Sequence, residues 1–223
     1  MATQSWDEFL DRLADKFRGP VEWIKQEQRQ RYLQPVRSTY EALKLPVLDI
    51  GSGRGEWLGV LKESEIPAVG IELNPVQAER LQSQGFTVHA GDAIAYLQSG
   101  GEGRFSAITA FQVAEHWSGP LLWEAIHLAY RGLAPGGLLI LETVNVASLW
   151  AWNHFLYDPT HTLPLPPDLL QFMVSEGGFQ SVEVRYFAPV SDAMRLPSQF
   201  GQWDILNQWL YGPQDYAVLA VRP

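Results

Sequence analysis

The stretch VLDIGSGRGEW, residues 47–57, decides the fold of this chain. Its first four residues, VLDI, predict a buried strand, and Gly51, Gly53 and Gly55 follow directly. Glycines after a strand let the backbone turn tightly and approach a ligand closely. The helix that follows such a loop offers free N–H groups to an anion. The stretch therefore predicts a strand–loop–helix unit that binds a cofactor.

The spacing of these glycines differs from that of a dinucleotide-binding turn, in which the third glycine would stand at position 56. Glu56 and Trp57 stand there instead. A pyrophosphate would meet an added negative charge, whereas a ligand with a carboxylate and an amine would suit a helix N-terminus beside acidic groups such as Asp49. S-adenosylmethionine is such a ligand, and it is the cofactor that we expect.

The rest of the chain alternates apolar strands with helical stretches. Strand candidates are VLDI, AVGIEL, TVHAG, SAITAF, GLLILET, SVEVRYF and YAVLAVRP. This alternation predicts an α/β fold with a doubly wound, largely parallel sheet. Residues 1–45 are predicted to form a helical extension, and residues 46–223 the cofactor-binding domain.

Within the extension, Ser5 and Glu8 form a capping box for a first amphipathic helix. A second helix is expected to end near Pro35, because proline disrupts the helix interior.

Composition restricts the function further. The formal charge of -9, from 16 basic and 25 acidic residues, argues against a nucleic-acid partner, since phosphate binding needs a basic face. The chain has no cysteine, no basic and apolar leader, and no apolar run near the ~20 residues that span a bilayer. We therefore expect a cytoplasmic protein without a transmembrane segment. No ligand spacing such as H-x-x-x-H occurs, so no metal site is predicted.

Two further strand ends carry candidate cofactor contacts. Glu72 stands 21 residues after Gly51, where its carboxylate can accept both ribose hydroxyls, and Leu73 follows it. Asp92 ends the next strand, where it can meet the adenine amino group while Ala93 helps to cover the ring. The alternative for Asp92 is that it only caps the following helix.

The loop FQVAEHW after the fourth strand lies where ligands bind in open α/β sheets. We assign Gln112 to cofactor contacts, and Glu115 and His116 to catalysis. His116 could act as a general base for a hydroxyl, or it could only anchor the next helix. His161, in a proline-rich loop, is a second catalytic candidate and is favoured over His154.

Three residues outside these loops are candidates for substrate binding. Tyr157 and Asp158 precede His161 in the same proline-rich segment, which suggests a lid or acceptor wall. Arg18 could cover the cofactor carboxylate or an anionic acceptor, or it could be a solvated helix end. The aromatic segment FGQWDILNQWLYGP, residues 200–213, could close over substrate, form the face of a homodimer, or pack on the sheet.

The segments VLDIGSGRGEW, VGIELNP, GDAIAYL, AFQVAEHW and LAPGGLLILET resemble, in order and spacing, the motifs of class I S-adenosylmethionine-dependent methyltransferases. The resemblance covers about residues 46–143 and implies a Rossmann-like, seven-stranded sheet whose last strand, YAVLAVRP, is antiparallel. One departure is Ser52, where many members carry cysteine.

The flanks KFRGPVEWIKQEQRQRYL, LYDPTHTLPLPPDLLQFMVSEGGF and LYGPQDYAVLA resemble methyltransferase domains of bacterial O-antigen and surface-polysaccharide biosynthesis. This resemblance implies O-methylation of a sugar or sugar phosphate, with a small-molecule or glycan acceptor. The alternatives are a methyltransferase for a quinone-like or other metabolite, and a non-catalytic regulatory subunit that binds the cofactor.

Overall fold

The structure, a computed structural model, describes residues 5–197 and 201–223. Its strands are β1 (Val47–Ile50), β2 (Ala68–Glu72), β3 (Val88–Ala90), β4 (Phe105–Phe111), β5 (Leu133–Val144), β6 (Gln180–Phe187) and β7 (Asp215–Val221). They form one sheet in the order β3-β2-β1-β4-β5-β7-β6. The first five strands are parallel, and β7 pairs antiparallel with β5 and β6. The predicted seven-stranded sheet with an antiparallel last strand is confirmed.

Helices cover both faces of this sheet. They are α1 (Trp6–Phe17), α2 (Val21–Leu43), α3 (Glu56–Glu63), α4 (Pro75–Ser83), α5 (Ala93–Ser99), α6 (Gly119–Gly132), α7 (Leu149–Tyr157), α8 (Pro167–Glu176) and α9 (Gly201–Tyr211). One core layer joins the sheet to α5, α6 and α8, and the opposite layer joins it to α2 and α3. Apolar side chains on two faces of parallel strands produce this three-layer arrangement.

The capping box that begins α1 is present, with the Ser5 hydroxyl accepting from the backbone N–H of Glu8. The prediction that the second helix ends near Pro35 is wrong, because α2 continues through Pro35 to Leu43. Tyr32 and Val36, on either side of the proline, are fully buried against the sheet. Their burial favours one continuous helix over the local penalty of proline in a helix interior, about 3 kcal/mol.

The strand order reverses direction between β1 and β4, which opens a crevice at their carboxyl ends. The glycine loop, residues 51–55, leaves β1 at this edge, and residues 112–116 leave β4 beside it. The topology therefore brings together the two segments that the sequence singled out.

The aromatic segment 200–213 forms α9 after Phe200, which lies outside the described residues. Ile205, Leu206 and Trp209 are exposed on this helix, while Asn207 is buried. These apolar side chains therefore do not pack on the sheet. Among residues 5–197 and 201–223, no helix combines the length and the apolar character needed to cross a membrane.

Candidate active site

The glycine loop adopts the backbone that its sequence predicts. Gly51 and Gly53 have φ angles of 68° and 53°, in the left-handed region that favours glycine. A Cβ atom on Gly51 would lie 2.4 Å from Cγ2 of Val113, so the loop after β1 passes directly against the loop after β4. The two loops thus form one continuous wall of the crevice.

Arg18 lies over this loop. A Cβ atom on Gly53 would stand 2.6 Å from Nη1 of Arg18, which comes from the link between α1 and α2. Arg18 is partly buried as a residue, and its guanidinium makes no ion pair or side-chain hydrogen bond within the described part of the chain. Arg18, at the C-terminal end of α1, is therefore a free cationic donor beside the glycine loop, and its contact with the cofactor or an acceptor stays a prediction.

A second arginine holds the link in place. Arg54, inside the glycine loop, donates from Nη2 to the carbonyl of Gly19 at 2.9 Å and forms an ion pair with Glu56 at 2.7 Å. Both side chains of this pair are only 6% exposed. The N-terminal helices are thereby fixed to the cofactor loop, which no local sequence pattern indicated.

Glu72 closes the other side of the loop. Its Oε2 accepts from the backbone N–H of Gly53 at 2.7 Å, and its Oε1 accepts from the N–H of Asn74 at 2.8 Å. Each carboxylate oxygen can accept a further hydrogen bond, so these contacts leave capacity for ribose hydroxyls. Leu73, next to it, is 72% exposed and free to cover a bound ring.

Asp92 caps α5, because its Oδ1 accepts from the N–H of Ala95 at 2.8 Å. Ala93, which follows it, is buried. The capping interpretation of Asp92 is therefore confirmed, and its adenine contact remains a prediction.

Asp49, in β1, is a buried carboxyl beside the loop. It accepts from the hydroxyl of Thr109 at 2.9 Å. Burial raises the pKa of Asp49 to about 7, and the negative charges of Glu72 and Glu56 also raise it. The hydrogen bond from Thr109 lowers the pKa but does not offset the burial. A cationic group placed here would favour the charged carboxylate, so Asp49 suits the amine of an amino-acid ligand.

Glu115, His116 and His161 come together at the end of β4. One potential ligand atom from each residue lies within 4.8 Å of the others, and the two imidazole centroids are 4.6 Å apart. Glu115 is fully buried, and neither of its oxygens has a hydrogen-bond partner among the described residues. Burial raises the pKa of Glu115 to about 7, and the nearby hydroxyl of Thr143 partly opposes this shift. The Thr143 hydroxyl itself makes no hydrogen bond that meets the usual distance and angle limits.

Both histidines of this cluster are held by hydrogen bonds. Nδ1 of His161 meets the carbonyl of Phe155 at 2.6 Å, and Nδ1 of His116 meets the hydroxyl of Thr160 at 2.8 Å. Burial lowers the pKa of both, that of His116 to about 4 with a further contribution from His161. Both imidazoles are therefore neutral near pH 7.

Tyr157 and Asp158 form the rim next to this cluster. Tyr157 stacks on Phe17 of α1, with centroids 5.1 Å apart, which places the end of α7 beside the link that carries Arg18. Burial alone would raise the pKa of Asp158, but hydrogen bonds from Thr160 and the nearby histidines outweigh it and lower the pKa overall. Asp158 is thus a stable negative charge at the rim.

Comparison with known proteins identifies the family. A family model described as "Methyltransferase domain" matches residues 3–184. A solved S-adenosylmethionine-dependent methyltransferase from Archaeoglobus fulgidus is 30% identical, with a TM-score of 0.85, over 93% of this chain and 97% of that one. This chain belongs to the S-adenosylmethionine-dependent methyltransferases.

Two more distant structures share the fold of this methyltransferase. Phosphoethanolamine N-methyltransferase 2 of Haemonchus contortus, solved with phosphomonomethylethanolamine and S-adenosylhomocysteine, is 16% identical, with a TM-score of 0.60, over 99% of this chain and 61% of that one. An S-adenosylmethionine-dependent methyltransferase of Mesorhizobium loti is 16% identical, with a TM-score of 0.61, over 92% of this chain and 100% of that one. A search of curated proteins found no match.

In this methyltransferase the Gln112 side chain pairs with a residue of β7, and its cofactor contact stays a prediction. Gln112 has a φ angle of 57°, and its side-chain amide donates to Asp215 at 3.3 Å. Burial raises the pKa of Asp215 to about 7, the charge of Glu142 adds to this shift, and Arg31 opposes it. Gln112 therefore faces a polar group at the start of β7, on the side of the crevice next to β5.

Sequence reasoning missed this second polar group because its members are distant in the chain. Arg31 and Tyr32 of α2 both donate to the Glu142 carboxylate, and Asp215 lies beside it. The sequence signal that could have indicated this group is the presence of charged residues at the ends of otherwise apolar strands. These side chains form a buried polar group where α2 packs against β5 and β7.

Proposed function

We propose that this methyltransferase transfers the methyl group of S-adenosylmethionine to a hydroxyl oxygen of a sugar or sugar phosphate in surface-polysaccharide synthesis, in the cytoplasm. The observation that carries the proposal is the cluster of buried Glu115 with partly buried His116 and His161 at the crevice beside the glycine loop. A hydroxyl must lose its proton during methyl transfer, whereas a neutral amine can attack without that help. A carboxyl group and two neutral imidazoles that can promote the loss of this proton suit the hydroxyl.

The residues around the glycine loop fit the cofactor. Glycines with positive φ allow the tight turn after β1, Arg18 offers a free cation to the cofactor carboxylate, and Asp49 offers a buried carboxyl to its amine. Glu72 keeps spare acceptor capacity for the ribose. When bound, S-adenosylmethionine supplies an electrophilic methyl group on a sulfonium.

The rim of the crevice supports a hydroxyl-rich acceptor. Asp158, Gln112 and Asp215 carry hydrogen-bond donors and acceptors near the carboxyl end of β4, the latter two bonded to each other. Positioning a polyol in line with the methyl group requires several such contacts, because orientation supplies much of the rate. The resemblance of the flanking segments to surface-polysaccharide methyltransferases supports the same acceptor class.

A transfer assay tests the proposal. The protein is incubated with S-adenosylmethionine labelled in its methyl group and with separate panels of sugar phosphates, nucleotide sugars, phenols and amines. We expect the label to enter a sugar phosphate or nucleotide sugar as an alkali-stable methyl ether. Transfer should fall strongly in His161→Ala and stay unchanged in His127→Ala, which alters an exposed histidine on α6.

Two results would contradict the proposal in different ways. Label in phenols alone would favour a methyltransferase for a quinone-like metabolite. Cofactor binding without transfer to any panel would favour a non-catalytic regulatory subunit.

A further inference from the structure

The protonation of His161 follows from its hydrogen bond. A carbonyl oxygen can only accept, so Nδ1 of His161 carries the proton that is donated to the Phe155 carbonyl. Nε2 therefore holds a lone pair, and it stands 3.9 Å from Oε1 of Glu115. Two acceptor atoms consequently face each other in a buried space.

The same argument applies to His116. The Thr160 hydroxyl has one proton, which it donates to the Asp158 carboxylate, so it accepts from Nδ1–H of His116. Nε2 of His116 is left with its lone pair. The hydrogen bonds that run from Asp158 through Thr160 thus orient the imidazole of His116, and the Phe155 carbonyl orients that of His161.

A shared proton does not account for this arrangement. The separation of 3.9 Å between Nε2 of His161 and Oε1 of Glu115 exceeds the 2.7–3.2 Å of a nitrogen–oxygen hydrogen bond. A tetrahedral cation held at about 2.1 Å from each atom would separate the two atoms by about 3.4 Å, so a closure of about 0.5 Å from the observed 3.9 Å would bring them to ligand spacing. Both oxygens of the fully buried Glu115 are without partners and available to it.

The surrounding charges favour a cation. Asp158 acts electrostatically on both histidines, and Asp215 acts on Glu115. Arg18 is the one opposing cation among the charges that act on this cluster in the described part of the chain. With Glu115 itself, up to three carboxylates act against one guanidinium, so the local field attracts positive charge.

We propose that Glu115, His116 and His161 bind one divalent transition-metal ion, with the two imidazoles ligating through Nε2 and the carboxylate through oxygen. Two imidazoles and one carboxylate form a donor set that suits zinc, cobalt, iron or manganese and leaves coordination positions open. The hydrogen bonds to Thr160 and Phe155 supply the outer shell that fixes ligand orientation in metal sites.

The ion's role in catalysis rests on the proposed O-methyl transfer, whereas the site itself does not. An acceptor hydroxyl at an open position would lose its proton to water as its O–H bond breaks. The resulting oxygen would then form the new bond to the methyl carbon while the S–CH3 bond breaks, and sulfur keeps that electron pair.

Metal binding is tested on the full chain after treatment with a chelator and desalting, without cofactor or acceptor. Cobalt(II), manganese(II) and zinc(II) are added separately, bound metal is counted by equilibrium dialysis with elemental analysis, and cobalt is also followed by its visible absorption. We expect one ion per chain and a cobalt spectrum that shows nitrogen ligation.

Variants locate the ion. Glu115→Gln and His161→Ala are each expected to weaken binding by about tenfold or more, and Asp158→Ala, which removes the acceptor of the Thr160 hydroxyl, by about tenfold. His127→Ala is the matched control and should bind as the unaltered chain does. Circular dichroism and thermal unfolding verify that each variant is folded.

Two results overturn the site. One is that the unaltered chain binds none of the three ions; the other is that folded His161→Ala binds them with undiminished affinity. Methyl transfer that persists undiminished in the chelated protein would remove the ion from catalysis. Because binding is measured without an acceptor, failure of the metal site is distinguishable from failure of the proposed O-methyl transfer.

Discussion

Arg54 donates from Nη2 to the carbonyl oxygen of Gly19 at 2.9 Å, and this bond ties the glycine loop to the link between α1 and α2. The same guanidinium pairs with Glu56 at the start of α3 and lies 3.6 Å from Asp15 of α1. The link that carries Arg18 is therefore held above the glycine loop by Arg54, a residue of that loop.

Replacement of Arg54 tests this connection. Arg54→Ala leaves the buried Glu56 carboxylate unpaired, so we expect the free energy of unfolding to fall by about 3 kcal/mol. The measurement is urea denaturation, with Arg12→Ala, an exposed arginine of α1, as the control. Arg54→Met combined with Glu56→Gln should recover part of the loss. An unchanged Arg54→Ala protein would show that the link is held by other contacts.

Gly51 is predicted to be intolerant of a side chain. Its φ angle of 68° is strained for alanine, and the added Cβ would lie 2.4 Å from Val113. We expect Gly51→Ala to lose about 1–3 kcal/mol of stability and to bind S-adenosylmethionine more weakly. Gly119→Ala is the matched control, since a Cβ there meets nothing within 4 Å. Equal behaviour of the two variants would contradict the close approach of the two loops.

Glu72 has a structural role through two backbone hydrogen bonds, and we propose that it also binds the cofactor. Because both of its oxygens accept from backbone N–H groups, Glu72→Gln turns an amide donor toward one of those groups. We therefore expect both Glu72→Ala and Glu72→Gln to weaken S-adenosylmethionine binding by about 1.5–3 kcal/mol in calorimetric titration. Glu79→Gln, exposed on α4, should leave affinity unchanged. Full affinity in both Glu72 variants would remove this carboxylate from the cofactor site.

Cofactor affinity is expected to depend on pH through Asp49, whose pKa burial raises to about 7. Below that pH the free protein holds a neutral carboxyl, and binding of the cofactor ammonium requires the carboxylate, so a proton must be released. Affinity should therefore rise with pH up to pH 7, by at most about tenfold per pH unit, and then level off. Calorimetric titrations of the unaltered chain and of Asp49→Asn between pH 5.5 and 7.5 measure how S-adenosylmethionine affinity changes with pH. An equal dependence of affinity on pH in the two proteins would contradict the role of Asp49.

Much of the local structure around the glycine loop could be predicted because its signals are local. The glycine spacing at 51–55, the acidic end of β2 at Glu72 and the helix cap at Asp92 each depend on a few neighbouring residues. The strand and helix alternation likewise fixed the sheet, since each strand carries its own apolar pattern.

The remainder depends on contacts between distant segments. His161 reaches Glu115 from a different loop, so the two leave no ligand spacing in the sequence. Arg54 and Gly19, or Gln112 and Asp215, are paired only by the fold. The continuation of α2 through Pro35 follows from the burial of Tyr32 and Val36, a tertiary effect that overrides the local preference.

A crystal structure with S-adenosylhomocysteine provides the most direct test, through the distance between its sulfur and the nearer Nε2 atom of His116 and His161. If the glycine loop holds the cofactor and the cluster receives the acceptor oxygen, in-line attack requires this distance to be about 8 Å or less. A sulfur that points away from the cluster, or a cofactor bound elsewhere than on residues 51–55, would contradict the account.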